Sequence, residues 1–151
     1  MNAVAGEGGI PEDFGSPVET IARGVCVRDG RLLLCRAKGA ATSYLPGGHI
    51  EAGETARAAL VREMAEETGL RFVPGRFMGA VENRFVQRGR EHCEINLVFG
   101  MEQEDLEAIV ISQEDWIEFF WQPLDALDAA GLLPADFMKI AGNPEGVFFD
   151  I

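Results

Sequence analysis

Short segments of the chain alternate apolar with polar residues, and a period of two predicts β-strands. The segments expected to be strands are residues 18–27, 32–36, 70–73, 77–86, 92–101 and 117–121, among which 92–101 shows the alternation. Asp29-Gly30 is a typical turn pair between the first two strands, and Pro74-Gly75 predicts a turn between the third and the fourth. The first two strands are therefore expected to be joined by a tight turn.

Residues 55–68 predict the main helix of the chain. The segment is rich in Ala, Arg, Glu, Leu and Met and contains no Gly or Pro. Thr55 is the expected N-cap and Gly69 the expected residue after the last turn. The apolar residues that share one arc, and should face the core, are Leu60, Val61 and Met64.

The order of these elements predicts the fold class. Strands precede and follow the central helix, and shorter helices are expected at residues 123–130, opened by a proline, and at 134–140. This order favours an α/β (α+β) domain in which a central mixed sheet is sandwiched between helices. Residues 1–16 are rich in glycine and poor in apolar residues, so we expect a flexible tail followed by one domain over residues 17–151.

An acidic arc lies beside the apolar arc of the main helix. It carries Glu63, Glu66 and Glu67, and otherwise only the small residues Ala56 and Ala59. Like charges this close destabilise a helix, and a hard divalent cation with oxygen ligands would offset their repulsion. The alternative is a solvated helix face on which Arg62 pairs with Glu66 one turn later.

The acidic arc belongs to a longer pattern, G-x5-E-x7-R-E-U-x-E-E-x-G-U, in which U is a bulky apolar residue. Its residues are Gly48, Glu54, Arg62, Glu63, Met64, Glu66, Glu67, Gly69 and Leu70. The pattern resembles the signature of the Nudix (MutT-like) hydrolases at every defined position. The resemblance implies an α/β/α sandwich and hydrolysis of an acid anhydride, the pyrophosphate linkage of a nucleoside diphosphate joined to another group.

The resemblance also implies roles for single residues. Glu63, Glu66 and Glu67 match the glutamates that bind Mg²⁺ or Mn²⁺ and form the catalytic centre. Arg62 matches the arginine that orients one of them, and Gly48 matches the glycine whose carbonyl often binds the metal. One further match, Glu54, corresponds to a structural or auxiliary glutamate.

Several residues outside this pattern are candidates for the site. A loop acid could act as a base or as an extra metal ligand, and the sequence does not choose among Glu102, Glu104, Asp105, Glu107, Glu114 and Asp115. Glu114 is favoured because it closes the loop before the strand at 117–121; each acid alone is equally explained as a solvated surface residue. Arg23 and Arg36, on the first two strands, either bind substrate phosphate or form salt bridges at the sheet.

Four polar residues on two adjacent predicted strands complete the candidates. They are Glu82, Asn83, Glu94 and Asn96. They either line a nucleotide pocket or are ordinary residues of the sheet surface. The pattern of the strands does not decide between these alternatives.

Net charge restricts the classes of partner. The chain carries a formal charge of −12, and only one of its thirteen basic residues lies beyond Arg90. Nonspecific binding to nucleic-acid backbones is therefore not expected. No run of 18 apolar residues and no basic segment followed by an apolar one occurs, so neither a membrane span nor a signal peptide is expected. Three cysteines without a CxxC pair suggest reduced thiols in the cytoplasm.

The substrate remains open within the class of small nucleotides. The chain lacks the additional marks of the hydrolases of ADP-ribose, dinucleoside polyphosphates, NADH and coenzyme A. We favour a nucleotide sugar or a nucleoside triphosphate. The alternatives are a catalytically silent nucleotide-sensing module and an RNA 5′-pyrophosphohydrolase, which the acidic C-terminal half disfavours. The sequence does not decide between a monomer and a homodimer.

Overall fold

Two β-sheets, one long helix and two short helices make up residues 17–142 and 146–150, which the computed structural model describes. The predicted tail, residues 1–16, lies outside the described residues. In chain order the elements are β1 Val18–Val25, β2 Val27–Arg28, β3 Arg31–Ala37, β4 Gly47–His49, α1 Ala56–Thr68, β5 Phe72–Gln87, β6 Arg90–Gln103, β7 Ile117–Pro123, a 3₁₀ helix Leu124–Ala130, α2 Phe137–Ala141 and β8 Phe148–Asp150.

The larger sheet is mixed, as predicted. Its strand order is β4-β1-β6-β5-β8, and the smaller sheet has the order β2-β3-β7. Strands β1 and β6 run parallel, whereas β5 and β6 run antiparallel. One core lies between the sheets and α1, and a second lies between the sheets and the two short helices. No helix in the described ranges is long and apolar enough to cross a membrane.

The predicted turn at Asp29-Gly30 is confirmed. Both residues have positive φ, 50° and 71°, which matches the turn that a two-residue hairpin favours. The strand predicted at 18–27, however, is divided. Residues Val18–Val25 pair within the large sheet, whereas Val27 pairs, together with Arg28, within the small one, because the chain passes between the sheets at the buried Cys26.

The predicted turn at Pro74-Gly75 is wrong. Strand β5 runs without interruption from Phe72 to Gln87 along β6, and the register shifts near Pro74 and again before Gly79. Proline has no amide hydrogen to donate to the neighbouring strand, and a β-bulge accommodates this missing hydrogen bond. The strand therefore bends at Pro74 instead of turning back on itself. Strand β8, which the sequence pattern did not indicate, pairs with β5 in parallel from Gly79 onward.

The ends of α1 are those that the sequence predicts. The Thr55 side chain accepts a hydrogen bond from the Ala58 amide at 3.1 Å. Gly69 takes the left-handed conformation with φ of 71°, and its amide donates to the carbonyl of Ala65. Both ends thus satisfy backbone groups that a helix leaves without partners.

The buried side of α1 differs in part from the prediction. Leu60 and Met64 are fully buried, but Val61 is only partly so. Ala59, expected on the acidic arc, is fully buried in the core beside α1. The core-facing side is therefore rotated toward Ala59, whose small side chain lets the helix pack close to the sheet.

Removal of the Thr55 cap gives a first prediction. We expect Thr55→Ala to lower the free energy of unfolding by about 1 kcal/mol, because the Ala58 amide loses its partner. Urea denaturation followed by circular dichroism measures this change. Thr55→Ser, which keeps the acceptor, should unfold close to the wild type; an alanine variant with an unchanged midpoint would show that the cap is dispensable.

The run Pro46-Gly47-Gly48 is typical of a loop in sequence, but Gly47 and Gly48 lie in a strand. Strand β4 pairs with β1 in antiparallel fashion, with Gly47 opposite Arg23 and Gly48 opposite Ala22. Gly47 has φ of 145°, and any β-carbon on it would overlap the carbonyl oxygen of Ala22. Glycine is thus required for the two backbones to approach this closely.

The two short helices differ in detail from their predictions. Residues 124–130 form a 3₁₀ helix with Pro123 at its N-cap position, and α2 begins at Phe137 instead of residue 134. Both helices bury apolar residues against the second core, among them Leu127, Phe137 and Ile140. They support the sheets on the side away from α1.

Candidate active site at the acidic face of α1

Arg62 is the centre of an ion-pair network between α1 and the segment before it. Its Nε and Nη2 donate to the two carboxylate oxygens of Glu54 at 3.1 and 2.6 Å. Nη2 also donates to the carbonyl of His49 at 2.9 Å, and Nη1 donates to Glu63 at 2.9 Å and to Glu66 at 3.3 Å. If the acidic arc were only a solvated helix face, Arg62 was expected to pair with Glu66 alone. This pair is present, but it is one of several contacts that Arg62 makes.

The bidentate ion pair between Arg62 and Glu54 holds the segment before α1 against the helix. Hydrogen bonding to Arg62 holds the pKa of Glu54 below its usual range, and the same contact raises the pKa of Arg62. Glu54 also accepts a hydrogen bond from the amide of Glu51 at 2.8 Å. Its carboxylate is therefore fully engaged in holding the loop to the helix.

Gly48 lies directly against Glu63. A β-carbon at Gly48 would overlap the Glu63 carboxylate, so only glycine leaves space for that group beside β4. The sequence predicted Gly48 near the glutamates, and the pairing of β4 with β1 places it there.

Glu67 differs from the other two glutamates in its surroundings. Its side chain is largely buried, and among the described residues its carboxylate has no hydrogen-bond partner. Burial, followed by the charges of Glu63 and Glu66, raises its pKa to about 7, against the opposing effect of Arg23. Glu67 can therefore gain or lose a proton near neutral pH.

This pKa predicts a pH dependence of stability. The folded-state pKa exceeds the unfolded value, so the metal-free protein binds more protons when folded and loses stability as pH rises from about 5 to 8. The contribution of Glu67 should be on the order of 2 kcal/mol. Urea denaturation in EDTA at pH 5.5 and pH 8 should show that Glu67→Gln removes this part of the pH dependence. An identical dependence in both proteins would contradict the burial of an ionising carboxyl group.

Arg23 lies beside the glutamates on the large sheet. It is largely buried, and it donates to the carbonyl of Leu45 at 3.0 Å and to Oδ1 of Asn96 at 3.2 Å. Burial lowers the pKa of Arg23. The electrostatic effects of four nearby acidic groups act in the opposite direction, those of Cys35, Glu94, Glu67 and Glu63. A fixed cation therefore stands among acidic groups at the end of α1.

Arg36, the other candidate arginine, is engaged elsewhere. Its Nε contacts Glu118 at 2.6 Å, and its guanidinium lies 4.3 Å from the centre of the Phe120 ring. These contacts on β7 match the alternative of a salt bridge at the sheet. Nothing in its surroundings directs Arg36 toward the glutamates.

The loop before β7 reaches α1 through Gln113. The Gln113 amide donates to the carbonyl of Glu67 at 2.7 Å, and its side chain donates to the carbonyl of Thr68 at 3.4 Å. Glu114, the favoured loop acid, follows this contact directly. Glu104, by contrast, is ion-paired with Arg71 at 2.8 Å.

The glutamates suit a divalent cation by their chemistry rather than as a preformed cage. Within residues 17–142 and 146–150, no three His, Cys, Asp or Glu side chains lie close enough together to hold a metal ion. The available donors are nevertheless carboxylate oxygens, beside a glycine that leaves them space, and hard cations take such donors. Glu67 has no competing partner in this part of the chain.

Sequence reasoning missed two features of the site. Asn96 is fully buried, donates to the carbonyl of Val81 at 3.3 Å and accepts a hydrogen bond from Arg23. The sequence alone had suggested either a pocket residue or a residue of the sheet surface. The pKa of the Cys35 thiol is raised to about 12, mainly by burial and further by the negative charge of the nearby Glu67. Knowledge that β1 pairs with β6 would have placed Asn96 beside Arg23.

Comparison with known proteins agrees with this geometry. The model of the NUDIX domain matches residues 18–140. A MutT-like protein of Streptomyces ambofaciens is 37% identical over 123 residues, which cover 72% of this chain and 76% of that protein. A putative mutator protein MutT4 of Mycobacterium tuberculosis is 38% identical over 104 residues, or 64% of this chain. The match spans only 38% of that longer protein.

A solved structure shows the same fold. The crystal structure of a MutT protein from Methanosarcina mazei superimposes with a TM-score of 0.64 and 27% sequence identity. The alignment covers 85% of this chain and 93% of that protein.

Proposed function

The chain belongs to the Nudix family of hydrolases, and we propose that it cleaves the pyrophosphate linkage of a small nucleoside diphosphate derivative, with Mg²⁺ or Mn²⁺ as cofactor. The observation that carries the proposal is the complete acidic network. Arg62 holds Glu63 and Glu66, and Glu67 lies within electrostatic reach of both glutamates and of Arg23. A nucleotide-sensing module without turnover would not need every one of these groups.

Glu63, Glu66 and Glu67 would hold the cation, with the carbonyl of Gly48 as a further donor. A divalent ion bound there polarises phosphoryl oxygens, lowers the pKa of water and orients the substrate. Arg62 keeps the glutamates in place, and Arg23 offers positive charge to a phosphate oxygen. Glu67, whose carboxylate has no hydrogen-bond partner among the described residues, is one candidate acceptor for the proton of the attacking water.

The reaction is a substitution at phosphorus. The water oxygen forms a new bond to one phosphorus, the bond from that phosphorus to the bridging oxygen breaks, and the second phosphate departs in line. The proton released by water passes to a carboxylate, either Glu67 or a loop acid such as Glu114. The products are two phosphate esters, or an ester and inorganic pyrophosphate or phosphate.

Small nucleotides fit the proposal better than RNA. The net charge of −12 disfavours a long polyanion, whereas a bound cation reverses the field locally for one polyphosphate group. We favour a nucleotide sugar or a nucleoside triphosphate as substrate.

A substrate screen tests the proposed function. Purified protein is incubated with nucleotide sugars, ADP-ribose, dinucleoside polyphosphates and nucleoside triphosphates, each with Mg²⁺, Mn²⁺ or EDTA. Products are identified by ³¹P NMR. We expect at least one substrate to be cleaved at its pyrophosphate linkage and protected by EDTA; turnover that EDTA leaves unchanged, or none at all, would contradict the proposal.

A further inference from the structure

One face of the large sheet carries Arg23 and, beside it, a row of polar and aromatic side chains. Residues paired across neighbouring strands share a face, and successive residues alternate between faces. The pairs on this face of β5 and β6 are Val81 with Asn96, Asn83 with Glu94, and Phe85 with His92. Glu82 points to the opposite face and is ion-paired with Arg84 at 2.8 Å.

The first pair of the row is the phosphate end. Asn96 accepts a hydrogen bond from Arg23 at 3.2 Å, and Arg23 lies within electrostatic reach of Glu67 and Glu63. Val81 and Asn96 are fully buried, so a phosphate that reacts at the glutamates would meet Arg23 and not the pair itself.

The second pair presents two hydrogen-bond acceptors. Nδ2 of Asn83 donates to Oε2 of Glu94 at 3.4 Å, so the amide oxygen of Asn83 is turned away from the carboxylate. Within the described ranges, neither that oxygen nor Oε1 of Glu94 has a hydrogen-bond partner. Both side chains are partly buried. Two adjacent free acceptors match a group that carries two adjacent donors, such as a pair of neighbouring hydroxyls.

The third pair is a flat aromatic surface. The rings of Phe85 and His92 stack at 4.9 Å with an angle of 6° between their planes. Both residues border a cavity of about 400 Å³ at the start of β1. Such a surface is suited to stacking with a planar base.

The spacing of the three pairs follows the order of groups in a nucleotide. A strand advances by about 3.4 Å per residue, so each pair lies about 7 Å beyond the previous one. Phosphate, sugar and base are encountered in the same order along the row. A base with an amino group beside a ring N–H also carries two adjacent donors, but it would lie one sugar farther out, at Phe85 and His92.

We propose that Glu94 and Asn83 bind the vicinal hydroxyls of the sugar next to the reacting phosphates, so that the enzyme prefers ribose to 2′-deoxyribose. The inference rests on the proposed function and narrows its substrate class. Loss of the 2′-hydroxyl leaves one partly buried acceptor without a partner.

The test compares substrates that differ only in the 2′-hydroxyl. The four common nucleoside triphosphates and UDP-glucose are each measured beside their 2′-deoxy counterparts. We expect kcat/KM to be about 10- to 100-fold higher for the ribose form, mainly through KM, because the contact is made before and during reaction. Glu94→Gln should bring the ratio within about 3-fold by weakening only the ribose form.

A matched substitution on the opposite face serves as control. Glu82→Gln changes the same group on the same sheet and should keep the ribose preference of the wild type. Equal kcat/KM for ribose and deoxyribose forms in the wild type would overturn this inference and leave the proposed function intact. Absence of turnover on every pair and on every substrate of the screen would overturn both. An unchanged preference in Glu94→Gln would also overturn the assignment to Glu94.

Discussion

Glu67→Gln is expected to lower kcat by about three orders of magnitude, or about 4 kcal/mol in activation free energy. Glutamine keeps the shape of the side chain but removes the negative charge of the carboxylate that we propose as a cation ligand and as an acceptor for the proton of water. The fold should be retained, because the carboxylate has no hydrogen-bond partner in the described part of the chain. Steady-state kinetics with the substrate found in the screen measures the loss.

Two comparisons make the Glu67 result specific. Glu82→Gln, on the far face of the sheet, should retain near wild-type kcat. The circular dichroism spectrum and metal-free melting temperature of Glu67→Gln should show a folded protein, at least as stable as the wild type at pH 8. Full activity in Glu67→Gln would refute its place in the catalytic centre.

Arg62→Lys is expected to lower kcat by about 100-fold, although the charge is kept. Lysine is a point charge and cannot reproduce the planar fork that binds both oxygens of Glu54 while also reaching Glu63 and Glu66. The glutamates would then be misplaced by a fraction of an ångström or more, and such displacements reduce rates by about this factor.

Arg57→Lys is the matched control for Arg62→Lys. Arg57 lies on the same helix, donates to the carbonyl of Gly75 at 3.1 Å and covers the ring of Phe99. Its replacement should leave kcat within about 3-fold of the wild type, because these contacts are remote from the glutamates. If both variants retained wild-type kcat, the geometry of the Arg62 network would have no catalytic role.

Local features of the fold could be predicted from the sequence because their physical causes are local. The Thr55 cap, the left-handed Gly69 and the Asp29-Gly30 turn depend on residues within a few positions of each other. Features that depend on distant partners could not. Strand β4 exists because Gly47 fits against Ala22, and Pro74 lies in a bulge because β6 continues alongside it.

The same distinction applies to the candidate site. Helical spacing placed Glu63, Glu66 and Glu67 near each other, and spacing alone indicated the Arg62–Glu66 pair. The contacts of Arg62 with Glu54 and His49 require the chain to fold back onto the helix. Arg23 and Asn96 are 73 positions apart in the sequence. Their contact therefore requires the parallel pairing of β1 with β6. No periodicity within one strand contains that information.

Direct titration with Mn²⁺ tests most sharply whether the acidic face of α1 is a metal centre. Free Mn²⁺ is followed by its electron paramagnetic resonance signal, in the wild type and in Glu67→Gln, Glu63→Gln and Glu82→Gln. We predict saturable binding in the wild type and in Glu82→Gln, weakened at least about 10-fold in each of the other two variants. Equal affinity in all four proteins, or no binding to the wild type, would contradict the assignment of Glu63 and Glu67 as ligands.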